Sequence, residues 1–230
     1  MKFGMIVLAA VAAVGSMAAG TAQAAGNAVV GGSSGLVFDN NAACTLTAIG
    51  HDSAGRLVGL TAGHCAPTGS RFGAEQFLDA GVIGTVAYSD DGDGADFAVL
   101  AFDPARVTPV RNVGPTTIAG FGAAPFPGQS VCTSGRSSGI DCGIVWGTLE
   151  GSTINQTCSK PGDSGGPVTV GDRLVGMNQG RVTGFGGVGF NVPCTVAANP
   201  IHSPAFFAPI DQIRQAVDAT GGVGSGFQPI

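Results

Sequence analysis

Ser164 carries the strongest chemical signal in the chain. It stands in Pro161-Gly162-Asp163-Ser164-Gly165-Gly166-Pro167, where the flanking glycines predict a sharp turn with an open approach to the hydroxyl. A serine hydroxyl is a poor nucleophile near neutral pH and needs a base to take its proton. The oxyanion formed on attack at a carbonyl needs hydrogen-bond donors, and the backbone N–H groups of Gly162 and Ser164 are the candidates.

The base must be a neutral imidazole. Of the three histidines, His64 is best placed, in Leu60-Thr61-Ala62-Gly63-His64-Cys65, at the end of an apparent strand and beside a cysteine able to tether the turn. His51, among Asp52, Ser53 and Gly55, reads as a solvated turn residue, and His202, between Pro200 and Pro204, as a loop residue. The imidazole in turn needs a carboxylate to accept its other N–H and to stabilise the imidazolium. Asp96 opens the apolar run Phe97-Ala98-Val99-Leu100, and a lone acid there is costly unless paired. Asp90, Asp91 and Asp93 lie in a glycine-rich loop and read as solvated. They do not fit a calcium loop: counted from Asp91, Asp96 falls where Gly is needed and Phe102 where Glu is needed. No metal and no cofactor is expected.

Groups this far apart in the chain need a tertiary fold to meet. Glycine supplies 40 of the 230 residues and proline 13, which disfavours long helices and suits short strands with tight turns. Strands are predicted at Cys44–Gly50, Leu57–Thr61, Val82–Tyr88, Phe97–Ala101, Gln129–Ser134, Gly143–Leu149 and Leu174–Met177. A proline-rich stretch from Asp103 to Gly128 reads as the connector between two β units. One helix is expected near the end, capped by Asp211, with Ile213, Ala216 and Val217 on one face and Gly221-Gly222 as its stop. Hydrophobic residues make up 44% and charged residues 11%, which excludes an ordinary disordered chain. The net charge of −5, with no basic cluster, argues against nucleic acid and anionic membrane surfaces as partners.

Residues 1–24 read as an export signal: Lys2, an apolar stretch from Met5 to Ala19, and Ala22-Gln23-Ala24 as a small-x-small cleavage site. The stretch is too diluted by Ala, Gly and Ser for a membrane anchor, so a secreted, soluble protein is expected, and a monomer. The six cysteines, Cys44, Cys65, Cys132, Cys142, Cys158 and Cys194, are an even number without a CxxC pair. In an oxidising compartment they read as three disulfides, and spacing does not choose the pairing.

TAGHC, DFAVL and GDSGGP in that order resemble the chymotrypsin-like serine endopeptidases, most nearly their bacterial, streptogrisin-like branch. The resemblance runs from about Leu36 to Val217. It implies an all-β fold of two six-stranded antiparallel β-barrels with a C-terminal helix. Residues 25–115 would form the first barrel, carrying His64 and Asp96, and residues 116–230 the second, carrying Ser164, the helix and the tail. It implies His64 as general base, Asp96 as orienting acid, Ser164 as nucleophile, and Gly162 and Ser164 as oxyanion donors. Protein or peptide substrates follow, as do the pairs Cys44–Cys65, Cys132–Cys142 and Cys158–Cys194. The cysteine six residues before the serine, Cys158, fits the bacterial branch.

There are departures from the pattern. Val29-Val30-Gly31-Gly32 faintly resembles an animal-type activation sequence, whose freed amine would pair with Asp163, yet it lies only about five residues past the signal cut. A conventional propeptide is therefore not expected. In the bacterial branch an arginine holds this acid; here Thr133 occupies the expected slot, and Arg136 is the nearest substitute. The substrate pocket would be lined by Gln156, Thr157, Gln179 and Arg181. Without an acid beside Thr157, a trypsin-like preference is not expected; Arg181 would narrow the pocket, attract an acidic side chain or turn to solvent. Two alternatives compete with this reading. G-x-S-x-G also fits an α/β-hydrolase, but Gly165-Gly166-Pro167 followed by β-branched residues cannot open the helix that fold requires. The second is a catalytically impaired secreted protease homologue acting as a binding module: such proteins usually lose a triad residue and none is missing here, while the altered pocket and the weak partner of Asp163 keep this alternative open.

Overall fold

The structure is a computed structural model and describes residues 26–92, 94–196 and 199–230. The export signal at residues 1–24 and Asp93 lie outside the described residues. The first sheet is built from β1 (Gly35–Phe38), β2 (Ala43–Thr45), β3 (Ala48–His51), β4 (Leu57–Thr61), β5 (Arg71–Ala74), β6 (Gly84–Ser89) and β7 (Ala98–Phe102). Their order is β3-β4-β7-β6-β5-β1-β2, with the C-terminal pair Gln228–Pro229 added antiparallel to β3 at the edge. The predicted strand Cys44–Gly50 is in fact two strands, because Leu46 and Thr47 change partner. Leu46 N–H donates to Ser34 O, and Thr47 N–H to Leu60 O. The sheet therefore curls back on itself as a half-barrel rather than as an unbroken ring.

The second sheet contains β8 (Ser130–Gly135), β9 (Gly139–Leu149), β10 (Ser152–Asn155), β11 (Pro167–Val170), β12 (Arg173–Arg181) and β13 (Ala205–Pro209). It runs β12-β11-β8-β9-β10-β13, and β13 pairs again with β12, which closes a six-stranded barrel. Gly165-Gly166-Pro167 leads into strand β11, not into a helix, so the α/β-hydrolase arrangement is excluded. The architecture is the trypsin-like two-barrel fold with a C-terminal helix.

Alternation explains the core. Leu36, Leu46, Leu60, Phe72, Ile83 and Leu100 are fully buried in the first half, and Val131, Val145, Val168, Val175 and Phe207 form a smaller cluster in the second. Helix α1 (Ile210–Ala219) buries Ile210, Ile213 and Val217 against the larger cluster. Its N-cap is Pro209, with no side-chain cap, and the predicted cap Asp211 sits in the first turn instead. An acid there still complements the helix dipole. The three disulfides join Cys44–Cys65, Cys132–Cys142 and Cys158–Cys194, the pairs that the resemblance implies.

Candidate active site

His64 lies on the short 3-10 turn Gly63–Cys65 that follows β4. The disulfide from Cys65 to Cys44 on β2 fixes that turn to the sheet. Asp96 comes just before β7, at φ +52°, a left-handed conformation that Asp tolerates better than most side chains. His64 Nδ1 lies 2.8 Å from Asp96 Oδ2 and 3.0 Å from Oδ1, and the backbone N–H of His64 donates to Oδ1 at 2.9 Å. On its other side, His64 Nε2 lies 2.8 Å from Ser164 Oγ. The carboxylate holds the imidazole ring with Nδ1 protonated, which leaves Nε2 free to accept the serine proton. The hydrogen bond that His64 makes to Asp96 raises the His64 pKa above its ordinary 6.5. Burial opposes the rise, while the charges of Asp96 and Asp90 add to it.

The serine turn is shaped by glycine at two positions. Gly162 and Gly165 have φ of +98° and +82°. A Cβ on Gly165 would run into Thr45 O, Thr61 Oγ1 and Ala62 N, so only glycine lets the turn seat against the first sheet. The N–H groups of Asp163, Gly165 and Gly166 are engaged by backbone carbonyls. Those of Gly162 and Ser164 donate to no acceptor among the described residues.

The first sheet grips this turn through residues that the sequence did not single out. Thr45 N–H donates to Ser164 O at 2.8 Å, Thr45 Oγ1 to Gly162 O at 2.9 Å, and Thr47 Oγ1 to Gly165 O at 2.5 Å. Threonine is common in strands, so no sequence signal separates these two from ordinary strand residues. Asp90 was also missed. It is half-buried, its Oδ1 accepts the N–H groups of Phe97 (2.9 Å) and Gly92 (3.2 Å), and it lies against Gly63, where a Cβ would strike it. It is therefore not the solvated loop residue expected; burial pushes its pKa up.

Asp163 is buried but does not pair with Arg136. Its Oδ1 accepts Ser137 N–H at 2.9 Å and Ser138 N–H at 3.0 Å, and its Oδ2 accepts Lys160 N–H at 2.8 Å. Three backbone donors do the work expected of an arginine. Arg136 instead forms a two-pronged ion pair with Glu75 of the first half, one prong Nε to Oε2 at 2.8 Å and the other Nη2 to Oε1. Val29-Val30 does not approach Asp163 either: Ala28–Val30 pairs as a parallel strand with Val107–Pro109.

Three of the four residues expected around the pocket are tied up internally. Gln156 Nε2 donates to Pro200 O (3.0 Å) and His202 O (3.2 Å). Buried Thr157 donates its N–H and hydroxyl to Asn155 Oδ1. Gln179 sits at a break in the β12–β13 register, and such a bulge re-aims a side chain. Its amide donates to Ala95 O at 2.7 Å, so it holds the segment that carries Asp96. Arg181 has its Nε buried without a partner. His202 is in a loop as expected but is buried, with Nδ1 2.9 Å from Ser203 O, and His51 is exposed at the end of β3.

No protein-family model matches the chain. Serine protease 1 of Rarobacter faecitabidus is 34% identical over 136 residues, which cover 53% of this chain and 26% of that protein. Streptogrisin-C of Streptomyces griseus is 29% identical over 184 residues, 74% of this chain and 36% of that protein. The chain thus spans well under half the length of these two relatives. Among solved structures, Thermobifida fusca Protease A has a TM-score of 0.63 at 26% identity, covering 82% of this chain and 96% of the other. Cellulomonas bogoriensis chymotrypsin has a TM-score of 0.61 at 26% identity, covering 82% and 95%.

Proposed function

We propose that this chain, which resembles the bacterial streptogrisin-like branch of the chymotrypsin-like serine proteases in fold and in sequence, is a secreted serine endopeptidase acting on protein or peptide substrates. The observation that carries this reading is the continuous hydrogen-bonded line Asp96–His64–Ser164, with contacts of 2.8 Å on both sides of the imidazole. Residues 25–115 supply the acid and the base, and residues 116–230 the nucleophile.

Ser164 Oγ attacks the carbonyl carbon of the scissile bond while His64 Nε2 takes its proton. Asp96 stabilises the imidazolium that results. The carbonyl oxygen becomes an oxyanion, to which the free N–H groups of Gly162 and Ser164 can donate. His64 then gives its proton to the leaving amine, and an acyl-enzyme remains on Ser164. A water molecule, deprotonated by His64, releases the acid product and restores the serine. Three disulfides among the described residues support an oxidising, extracellular destination.

The test is active-site labelling. A fluorophosphonate should attach to Ser164, identified by peptide mass, and Ser164→Ala or His64→Ala should abolish both labelling and peptide hydrolysis. Labelling elsewhere, or hydrolysis that survives Ser164→Ala, rejects the reading.

A further inference from the structure

Arg181 is singular among the arginines. Arg56, Arg71, Arg106, Arg136, Arg173 and Arg214 each face a carboxylate, and Arg111 donates to Ile230 O at the chain terminus. Arg181 forms no ion pair with any described residue, and its Nε is buried without a hydrogen-bond partner. A buried N–H with no acceptor is costly, and a ligand that brings an acceptor to Nε removes that cost.

β12 passes beside the nucleophile: Gly165 N–H donates to Asn178 O at 2.7 Å, and Asn178 N–H to Gly166 O at 2.8 Å. Arg181 follows three residues later on the same strand, about 10 Å along at the usual rise. It lies opposite Ala205, close in sequence to the loop whose Pro200 and His202 carbonyls hold Gln156. Two acids of the same half are occupied. Asp163 accepts three backbone N–H groups, and Asp141 accepts Cys158 N–H at 2.6 Å. A second cation, Lys160, donates to Thr195 O beside the Cys158–Cys194 disulfide. The other buried polar side-chain atom of β12 without a partner is Asn178 Oδ1, an acceptor, which by itself would favour a carboxamide.

We propose that Arg181 is a specificity residue that selects an acidic side chain, glutamate or aspartate, at the substrate position whose carbonyl Ser164 attacks. This rests on the endopeptidase reading above. A carboxylate can take two parallel N–H bonds from a guanidinium, which a phenyl ring, an aliphatic group or a neutral amide cannot match. A lysine or arginine side chain in the same place is repelled.

The experiment compares p-nitroanilides of one tetrapeptide that differ only in the last residue: Glu, Asp, Gln, Phe, Leu or Lys. Wild-type kcat/KM for Glu or Asp should exceed that for Gln, Phe and Leu by at least ~10-fold. Arg181→Gln should lower the Glu-to-Leu ratio of kcat/KM by ~10-fold or more. Preference for Phe, Leu, Gln or Lys in the wild type, or an unchanged Glu-to-Leu ratio in Arg181→Gln, overturns the proposal. The wild-type panel decides the matter even where the variant does not fold. Fluorophosphonate labelling runs in parallel and needs no side-chain recognition. Labelled Ser164 with a Phe or Leu preference rejects only the role of Arg181. Unlabelled Ser164 rejects the endopeptidase reading, and this proposal with it.

Discussion

Thr45 holds the backbone of Ser164 from the opposite sheet: its N–H donates to Ser164 O at 2.8 Å, and its hydroxyl donates to Gly162 O at 2.9 Å. The same hydroxyl accepts Arg136 N–H at 3.0 Å. The nucleophile turn of one half is thus positioned by a strand of the half that carries the imidazole. Thr45→Val keeps the shape and the N–H bond but removes the hydroxyl. The loss expected is about 1–3 kcal/mol of stability, because Arg136 N–H is left without its acceptor. kcat/KM should fall ~10- to 100-fold as the turn shifts. Chemical denaturation and steady-state kinetics measure the two effects, and wild-type kinetics in the variant would remove Thr45 from the positioning scheme.

Activity should be lost in acid with a midpoint above 6.5, because the Asp96 hydrogen bond raises the pKa of His64 and only the neutral imidazole accepts the serine proton. Asp96→Asn should lower that midpoint along with kcat. The stability term runs the other way. A folded-state pKa above the unfolded value stabilises the fold fully below about 6.5, and this contribution fades as pH rises through the folded pKa. A pH profile of kcat/KM checks the first statement; Tm against pH for wild type and His64→Ala checks the second.

Glu75 and Arg136 tie the two halves together beside the serine turn. The Arg136 hydrogen bond holds the Glu75 carboxyl below its ordinary value of 4.5, so the stability it contributes is present above that pH and disappears as pH falls through the folded pKa. Both side chains are partly exposed, which limits the pair to about 1 kcal/mol. A double-mutant cycle with Glu75→Gln and Arg136→Gln should return that coupling at pH 7 and progressively less as the pH falls below 4.5. Asp163 keeps its three backbone donors in either variant, so labelling of Ser164 should persist.

Asp90 supports the segment that carries Asp96 by accepting Phe97 and Gly92 N–H. Asp90→Asn retains an acceptor oxygen and loses the charge. It should keep kcat within about threefold and move the acid limb downward, since the charge of Asp90 adds to the basicity of His64. Asp90→Ala removes the acceptor and should cost ~10-fold or more in kcat. Equal kinetics in the two variants would show that acceptance of those N–H groups is irrelevant.

The β-rich fold was legible in the amino-acid sequence, because strand alternation, glycine-rich turns and cysteine content are local or compositional properties. The sequence also singled out His64, Asp96 and Ser164, since each needs a short environment of its own: a strand end, an apolar run, a glycine-flanked turn. Contacts that join residues distant in the chain were decided by the tertiary structure. Asp163 illustrates this: backbone N–H groups are invisible in a sequence, so an arginine was expected where three amides serve. Arg136 turned to Glu75, and Gln179 to Ala95, because a bulge and the approach of the two halves set their directions. A side chain's type fixes which bonds it can make, and only the folded chain fixes which partner comes within reach.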